Sequence, residues 1–287
     1  METIWELDFY SRPIRDENNK KLWEVLICES PQDVQAREDT LFKYNKYCSA
    51  QSVNSIFLKE ALDEAIAAAG TTPKKIRFFR RQMNNMICKA CDDMGITALP
   101  SRRTYALQKW IQERLENVYP QQEGYDESAV SSVSVQYPAE NAAILPDAIR
   151  GDKGDQWAFV TLEAAAFQEM NEWEISFGEG FPLSFFDLPP ETKVPGLVIL
   201  SPRAMPFAGW MSGMELSQIQ LQEGSLPRLV LQTGTSQCWI LADITNPDTL
   251  QEAKGFKQAK EQAQGVHFLA IQGDPNSEAF AGFWLLA

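Results

Sequence analysis

Trp5-Glu6-Leu7-Asp8-Phe9-Tyr10-Ser11-Arg12-Pro13-Ile14 and Lys21-Leu22-Trp23-Glu24-Val25-Leu26-Ile27-Cys28-Glu29-Ser30 decide the fold of the first half of this chain. Trp5, Leu7 and Phe9 alternate with Glu6, Asp8 and Tyr10. Trp23, Val25 and Ile27 alternate with Leu22, Glu24 and Leu26. A period of two in aromatic and branched residues predicts two half-buried strands. Arg15-Asp16-Glu17-Asn18-Asn19-Lys20 between them is turn chemistry, so the pair is a hairpin.

Working outward, Thr40–Ser49 reads as a third strand. Leu58, Ala61, Leu62, Ala65, Ile66 and Ala69 recur at helical spacing, with Ser52, Asn54 and Ser55 before them and Gly70 and Pro73 after. Lys74–Arg81 is a short strand, Met83–Met94 a helix and Ile96–Leu99 a strand. A helix marked by Leu107, Trp110, Ile111, Leu115 and Val118 then runs from Thr104 to Pro120. Three strands in a meander followed by alternating strands and helices predict a mixed sheet covered on its faces. This is a ribonuclease H-like strand/helix order, and topology alone licenses no activity.

Residues 121–145 are rich in Gln, Glu and Ser and read as a linker. A second α/β unit follows, with strands at Gln156–Leu162, Gly196–Leu200, Arg228–Thr233, Cys238–Ile244, His267–Gln272 and Phe283–Leu286. Helices are expected at Glu163–Trp173 and from Asn246-Pro247 to about Gln264; residues 174–195 read as a long irregular loop. The expected organisation is thus a basic α/β domain over 1–120, a linker over 121–145 and an acidic α/β domain over 146–287.

The totals are those of a globular chain: 287 residues, 44% hydrophobic and 23% charged. No apolar run approaches the roughly 20 residues of a membrane span. Five cysteines, an odd number, point to a reducing compartment. No charged-then-apolar leader precedes the hairpin, so a cytoplasmic protein is expected. The net charge of −13 is unevenly spread. Residues 1–120 hold 18 of 26 Lys and Arg against 17 of 39 Asp and Glu, a balance of +1; residues 121–287 hold 8 against 22, a balance of −14. Eight basic residues fall within 74–103, against Asp92 and Asp93.

Catalytic constellations are sparse. Glu6, Asp8 and Glu24 can meet on one face of the hairpin, as the carboxylates of metal-dependent nucleases do. A nuclease of ribonuclease H-like topology would use Asp8 with Glu60 or Glu64. Its third acid, at the end of the fourth strand, is replaced by Arg80 and Arg81, the wrong sign for a metal. Asp8 is therefore expected to pair with Arg12 or another cation. Cys88-Lys89-Ala90-Cys91 has no second cysteine pair and no nearby histidine, so no local zinc site is completed, and the two thiols are expected on a buried helix face. His267 is the one histidine and lies in an apolar strand, where a satisfied core or edge role is expected rather than Ser-His-Asp chemistry. Gly178-Glu179-Gly180 lacks the third glycine of a dinucleotide loop. Neither a cofactor nor a metal is expected.

Several stretches resemble one family. They are the first hairpin strand through Pro13, Lys21-Leu22-Trp23-Glu24-Val25, Ile76-Arg77-Phe78-Phe79-Arg80-Arg81-Gln82-Met83, Leu99-Pro100-Ser101-Arg102-Arg103-Thr104, Ile240-Leu241-Ala242-Asp243 and Trp284-Leu285-Leu286. The family is the TAB/ATAB-type RNA-binding proteins of cyanobacteria, algae and plants. The resemblance implies a factor that binds A/U-rich leaders of messengers for photosystem core subunits and promotes their translation, and it points to a cyanobacterial member. Implied partners are A/U-rich single-stranded RNA, the translation machinery or photosystem assembly proteins, and a second copy of the chain in a homodimer. A metal-dependent nuclease and an assembly factor without RNA contact are the competing readings.

The expected RNA contacts are Lys74, Lys75, Arg77, Arg80, Arg81, Arg102 and Arg103, with Arg12 from the hairpin. Alternation sets Phe79 between Arg77 and Arg81, the combination of cations and ring that a stacking patch needs. Central strands of covered sheets are apolar on both faces, so Phe79 itself is expected under a helix. Trp284 is a candidate aromatic platform, although alternation with Leu286 turns it inward.

Overall fold

The hairpin forms as the alternation requires. β1 (Ile4–Arg15) pairs antiparallel with β2 (Lys21–Glu29), Phe9 opposite Val25 and Tyr10 opposite Glu24. The structure, a computed structural model, describes residues 3–130, 141–147, 149 and 155–287. The chain divides into two compact units, Met1–Pro31 with Arg37–Tyr137, and Gln32–Ala36 with Pro138–Ala287. Both are mixed α/β structures.

In the first unit β3 (Lys43–Cys48) pairs antiparallel with β2. β4 (Lys75–Phe78) pairs parallel with β1, and β5 (Thr97–Pro100) parallel with β4. The sheet order is β3-β2-β1-β4-β5. Helix α1 (Ser55–Ala69) starts where Asn54 Oδ1 accepts from the amides of Ile56 and Phe57, and stops at Gly70, whose φ of 66° is left-handed. Its buried stripe of Leu58, Ala61, Leu62 and Ala65 packs on Trp5, Leu7 and Phe9, together with Ile87, Ala90 and Cys91 of α2 (Asn84–Asp92). The other face of the sheet, carrying Glu6, Asp8 and Glu24, meets α3 (Tyr105–Asn117), where the Leu107 amide donates to Glu6 Oε2 at 2.7 Å.

Residues 121–130 belong to this unit rather than to a free connection. The Arg15 amide donates to Gly124 O at 2.8 Å, and the Asp126 amide donates to Pro13 O at 3.0 Å. Gly124 has φ +81°, and a Cβ there would lie 2.1 Å from Arg15 O, so the approach admits only glycine. Residues 131–140 of the expected linker lie outside the described residues.

The second unit comprises β6 (Ala143–Ile144), β7 (Gln156–Glu163), β8 (Ile175–Glu179), β9 (Lys193–Leu200), α4 (Ala204–Ser212), β10 (Leu216–Gln222), β11 (Arg228–Thr233), β12 (Gln237–Asp243), α5 (Pro247–Gln262), β13 (His267–Gln272) and β14 (Phe280–Leu286). They form two sheets, β7-β9-β13-β14-β8 and β10-β11-β12-β6. One core links them, with Leu197, Phe207, Met211, Ile219, Leu231, Phe256, Leu269 and Trp284 among its members.

Three expectations are corrected here. Residues Ala164–Glu172 form successive 3₁₀ turns instead of an α-helix, burying only Ala164, Phe167 and Met170. The supposed loop 174–195 contains β8, an edge strand beside β14. α4 and β10 were not expected at all; Pro206 in the first turn of α4 disguised the helix, a position where proline costs no hydrogen bond.

Candidate nucleic-acid interface and the buried ionic layer

Alternation along β1 carries Glu6, Asp8 and Arg12 to the α3 side of the sheet, and β2 adds Glu24. Ionised carboxylates without water need counter-charges and donors, and this face supplies both. Arg80 Nε donates to Asp8 Oδ1 at 2.6 Å, and Arg12 Nη2 lies 3.0 Å from Asp8 Oδ2. Arg12 Nε donates to Glu24 Oε2 at 3.1 Å, so Arg12 bridges the two acids. Glu24 also accepts from Arg114 Nη2, and from the Tyr119 hydroxyl at 2.6 Å. Glu6 accepts from Ser30 Oγ at 2.8 Å, and Ser30 Oγ in turn accepts from Arg77 Nη1 at 3.2 Å.

Burial opposes the charge of Arg12, but Asp8, Tyr119 and Glu24 outweigh it and hold its pKa above the ordinary value. The same balance, led by burial and reversed by Glu24, raises Arg114. Desolvation beside Glu24 pushes the Tyr119 hydroxyl well up, which keeps it a donor. Arg80 also lies over the Tyr10 ring, 3.9 Å from its centroid.

The arginines expected at an RNA surface are therefore sorted by burial. Arg12 is 4% exposed, Arg77 3%, Arg80 8% and Arg103 3%, all too deep to meet a phosphate strand. Arg12 and Arg80 neutralise the carboxylate layer and Arg77 braces it through Ser30, while the Arg103 guanidinium lies 5.8 Å from the Tyr105 ring centroid. Lys74 and Arg81 are exposed, and Lys75 and Arg102 half-buried. They fall at the two ends of the parallel pair: Lys74 and Lys75 at the start of β4, Arg81 and Arg102 just beyond the ends of β4 and β5. Phe79 is buried, and β4 ends at Phe78, so the expected alternation of Arg77, Phe79 and Arg81 does not persist. Trp284 is 3% exposed, no platform. Its ring covers Gly282, where a Cβ would come within 2.4 Å of it.

The nuclease reading loses its geometry. Asp8 is caged by Arg12 and Arg80, while Glu60 and Glu64 are exposed on α1, the helix that covers the opposite face. Glu64 accepts instead from Lys46 Nζ and the Tyr44 hydroxyl. Cys91 is buried and Cys88 half-buried; desolvation raises both thiols, Cys91 to about 12, against redox or metal chemistry. His267 is fully buried and satisfied: Nε2 accepts from the Ile219 amide at 2.9 Å, and Nδ1 is 2.7 Å from Gly265 O, to which it donates. Desolvation pulls its pKa down to about 3.

Arg114, Tyr119 and Tyr47, whose hydroxyl accepts from Arg114 at 3.0 Å, complete the Glu24 cluster and were not foreseen. The detectable signal was Arg114 on the apolar stripe of its helix, one turn after Trp110. Gln218, Gln220, Lys257 and Lys260 line a groove in the second unit and were also missed. Alternating glutamines at 218, 220 and 222 and lysines at 254, 257 and 260 were the available clues.

Comparison with known proteins assigns the class: both parts of the chain match parts of an RNA-binding protein. Residues 4–114 match the N-terminal part of the RNA-binding protein Tab2/Atab2, and residues 132–287 its C-terminal domain. The chain belongs to the Tab2/Atab2 family of RNA-binding proteins. It is similar to the TAB2 homolog, chloroplastic, of Zea mays, 37% identical over 98% of this chain and 70% of the relative. The corresponding protein of Arabidopsis thaliana is 36% identical over 98% of this chain and 74% of the relative. Both are named chloroplastic, which overturns the cytoplasmic expectation. Compartment is addressed by removable segments rather than by the folded units, so the first residues of this chain carry no weight on it. Among solved structures, the HTLV-2 integrase catalytic core domain in complex with magnesium aligns at 14% identity over 40% of this chain and 72% of that one. Its TM-score of 0.24 is too low to bear on fold or function.

Proposed function

We propose that this protein is a non-catalytic RNA-binding factor that takes up A/U-rich single-stranded leaders of messengers for photosystem core subunits and promotes their translation, in a plastid setting as in its named relatives. Family membership supports RNA as the partner. The observation that carries the site is the set of cations at the ends of β4 and β5, Lys74 and Arg81 exposed, Lys75 and Arg102 half-buried. Of the carboxylates of the same unit that could have held a catalytic metal, Asp8 and Glu24 are spent on arginine. Such cations bind phosphates without reading sequence, so base preference comes from elsewhere in the protein.

The test is a salt titration of A/U-rich RNA binding to the full chain and to the variant carrying Lys74→Gln, Arg81→Gln and Arg102→Gln. The variant is expected to bind every RNA sequence more weakly. The slope of log affinity against log salt should flatten by up to roughly one unit for each cation–phosphate pair removed. An unchanged slope would remove these residues from the interface.

A further inference from the structure

The acidic second unit contains one local concentration of positive charge. Of the eight Lys and Arg in residues 121–287, three are at 254, 257 and 260 on α5. Lys257 and Lys260 line a groove of about 410 Å³ with Gln218, Ile219, Gln220, Leu221, Phe256 and Glu261. That volume is within the range of small-ligand sites, roughly 300–1,000 Å³.

The polar groups of the groove form a directed chain. Lys260 Nζ donates to Gln218 Oε1 at 3.1 Å and to Ile219 O at 2.9 Å. An ammonium can only donate, so this contact fixes which end of the Gln218 amide faces it. Gln218 Nε2 then donates to Gln232 Oε1 at 2.9 Å, and Gln232 Nε2 donates to Gln220 Oε1 at 2.9 Å. The chain ends at the Gln220 amide nitrogen, which has no hydrogen-bond partner among the described residues and borders the groove. Lys257, Lys260 and Gln220 thus all present N–H groups to the groove, beside one carboxylate, Glu261, next to Lys260 in the chain.

It is also firmly built. β10 is a sheet edge, yet both backbone groups of Ile219 are taken, the amide by His267 and the carbonyl by Lys260. Phe256 forms an apolar wall, stacked on Phe159 at 5.1 Å. Burial pulls the Lys260 pKa down to about 8, so its charge is held short of water, and a bound anion would restore what burial removes. Among the described residues Lys257 is engaged only by an exposed pair with Glu223 at 3.3 Å, weak enough to exchange for a phosphate.

We propose that the groove between α5 and β10 binds one uridine 5′-phosphate unit, its phosphate on Lys257 and Lys260 and its base carbonyl oxygens toward the Gln220 amide. Uracil offers carbonyl acceptors at C2 and C4, whereas cytosine keeps the one at C2 and sets an amino group at C4, which opposes the Gln220 donor. The unit comes from an RNA strand or from a free nucleotide; only the first source rests on the RNA-binding reading above.

The test uses the full chain and two variants, Lys257→Gln at an exposed position and Gln220→Leu at a half-buried one, with thermal midpoints confirming that each is folded. Uridine 5′-monophosphate and cytidine 5′-monophosphate are titrated by calorimetry or NMR. A 4-thiouridine-substituted A/U-rich RNA is photocrosslinked and the attached peptide mapped. Wild type should bind the uridine nucleotide, with each variant weaker by about tenfold, the loss expected for one charge-assisted or otherwise unreplaced hydrogen bond. Cytidine should bind more weakly than uridine. Crosslinks within 216–222 or 254–261 would identify RNA as the source. Uridine nucleotide binding with crosslinks elsewhere, or with no RNA binding, would identify the free nucleotide and leave the RNA reading to stand or fall on its salt titration. No uridine nucleotide binding up to about 10 mM, equal binding of cytidine, or unchanged affinity in both variants would overturn the site.

Discussion

The first unit buries its charges and the second buries neutral polar groups. The first unit buries Arg12, Arg77, Arg80, Arg103 and Arg114 together with Glu6, Asp8 and Glu24. Among the described residues of the second unit, the buried polar side chains are His267, serines, threonines and a single carboxylate, Glu215. The consequence concerns surface charge. Removing those five arginines from the 18 basic residues of 1–120, and those three acids from the 17 acidic ones, leaves 13 against 14. The unit that is basic in sequence is close to neutral outside its ionic layer, so RNA contact depends on where the remaining cations stand rather than on the total.

The largest effect that would break this comparison is on Glu24. It holds Arg12, Arg114 and Tyr119 with no exposure of its own, so Glu24→Ala takes the carboxylate partner from Arg114 and leaves Arg12 with Asp8 alone. Loss of one partner in a buried ion cluster costs roughly 3–5 kcal/mol. Chemical denaturation followed on the helix signal should show a loss of that size, with Asp8→Ala in the same range. Neither the wild type nor Asp8→Ala is expected to cleave RNA with Mg²⁺. A loss below about 1 kcal/mol for Glu24→Ala would mean the layer is effectively solvated.

The second unit predicts a different sensitivity, to acid. His267 is neutral in the folded state, with its pKa pulled from the ordinary 6.5 to about 3 by desolvation and by Lys260. The unfolded chain takes up a proton near pH 6.5 that the folded chain refuses, so stability falls as pH drops through the window from 6.5 to 3. Between pH 6.5 and 5 the loss is about 2 kcal/mol. Denaturation midpoints across that range should fall in the wild type and flatten in His267→Gln. An equal slope in the variant would show that His267 is not the group responsible.

The same contrast explains what the sequence revealed. Period-two patterns around Trp5, Leu7 and Phe9 and helical spacing from Leu58 to Ala69 report apolar burial, and those elements formed. A pattern records which residues face inward, not what an inward charge pairs with. Glu6, Asp8 and Glu24 were legible as facing carboxylates, and Arg80 as the wrong sign for a metal. That Arg12, Arg77, Arg80 and Arg103 would be consumed internally was not, because pairing across β1, β2 and α3 depends on register and helix docking. β10 was overlooked although Ile219 and Leu221 alternate with three glutamines; its polar face reads as loop composition. Its donor chain became visible only once β11 brought Gln232 between Gln218 and Gln220.

The smallest test compares matched caps. Asn54 Oδ1 accepts from the amides of Ile56 and Phe57 at the start of α1, at 3.0 and 2.9 Å. Asn246 Oδ1 accepts from the Asp248 amide at 2.8 Å at the start of α5. Both caps are exposed, and neither touches the ionic layer or the donor chain, so each Asn→Ala change should cost about 1 kcal/mol. Amide exchange in the affected first turn should quicken by about fivefold, the same energy read as a rate ratio. Asn54→Ala removes two accepted hydrogen bonds and Asn246→Ala one, and α5 keeps Pro247 at its first position to preset the turn. The α1 change is therefore expected to be the larger of the two. If the α5 change is the larger, the helix carrying Lys257 and Lys260 is held mainly by its cap rather than by the packing of Ala253 and Phe256, and the groove it forms with β10 is less firmly built than the hydrogen bonds of Lys260 imply.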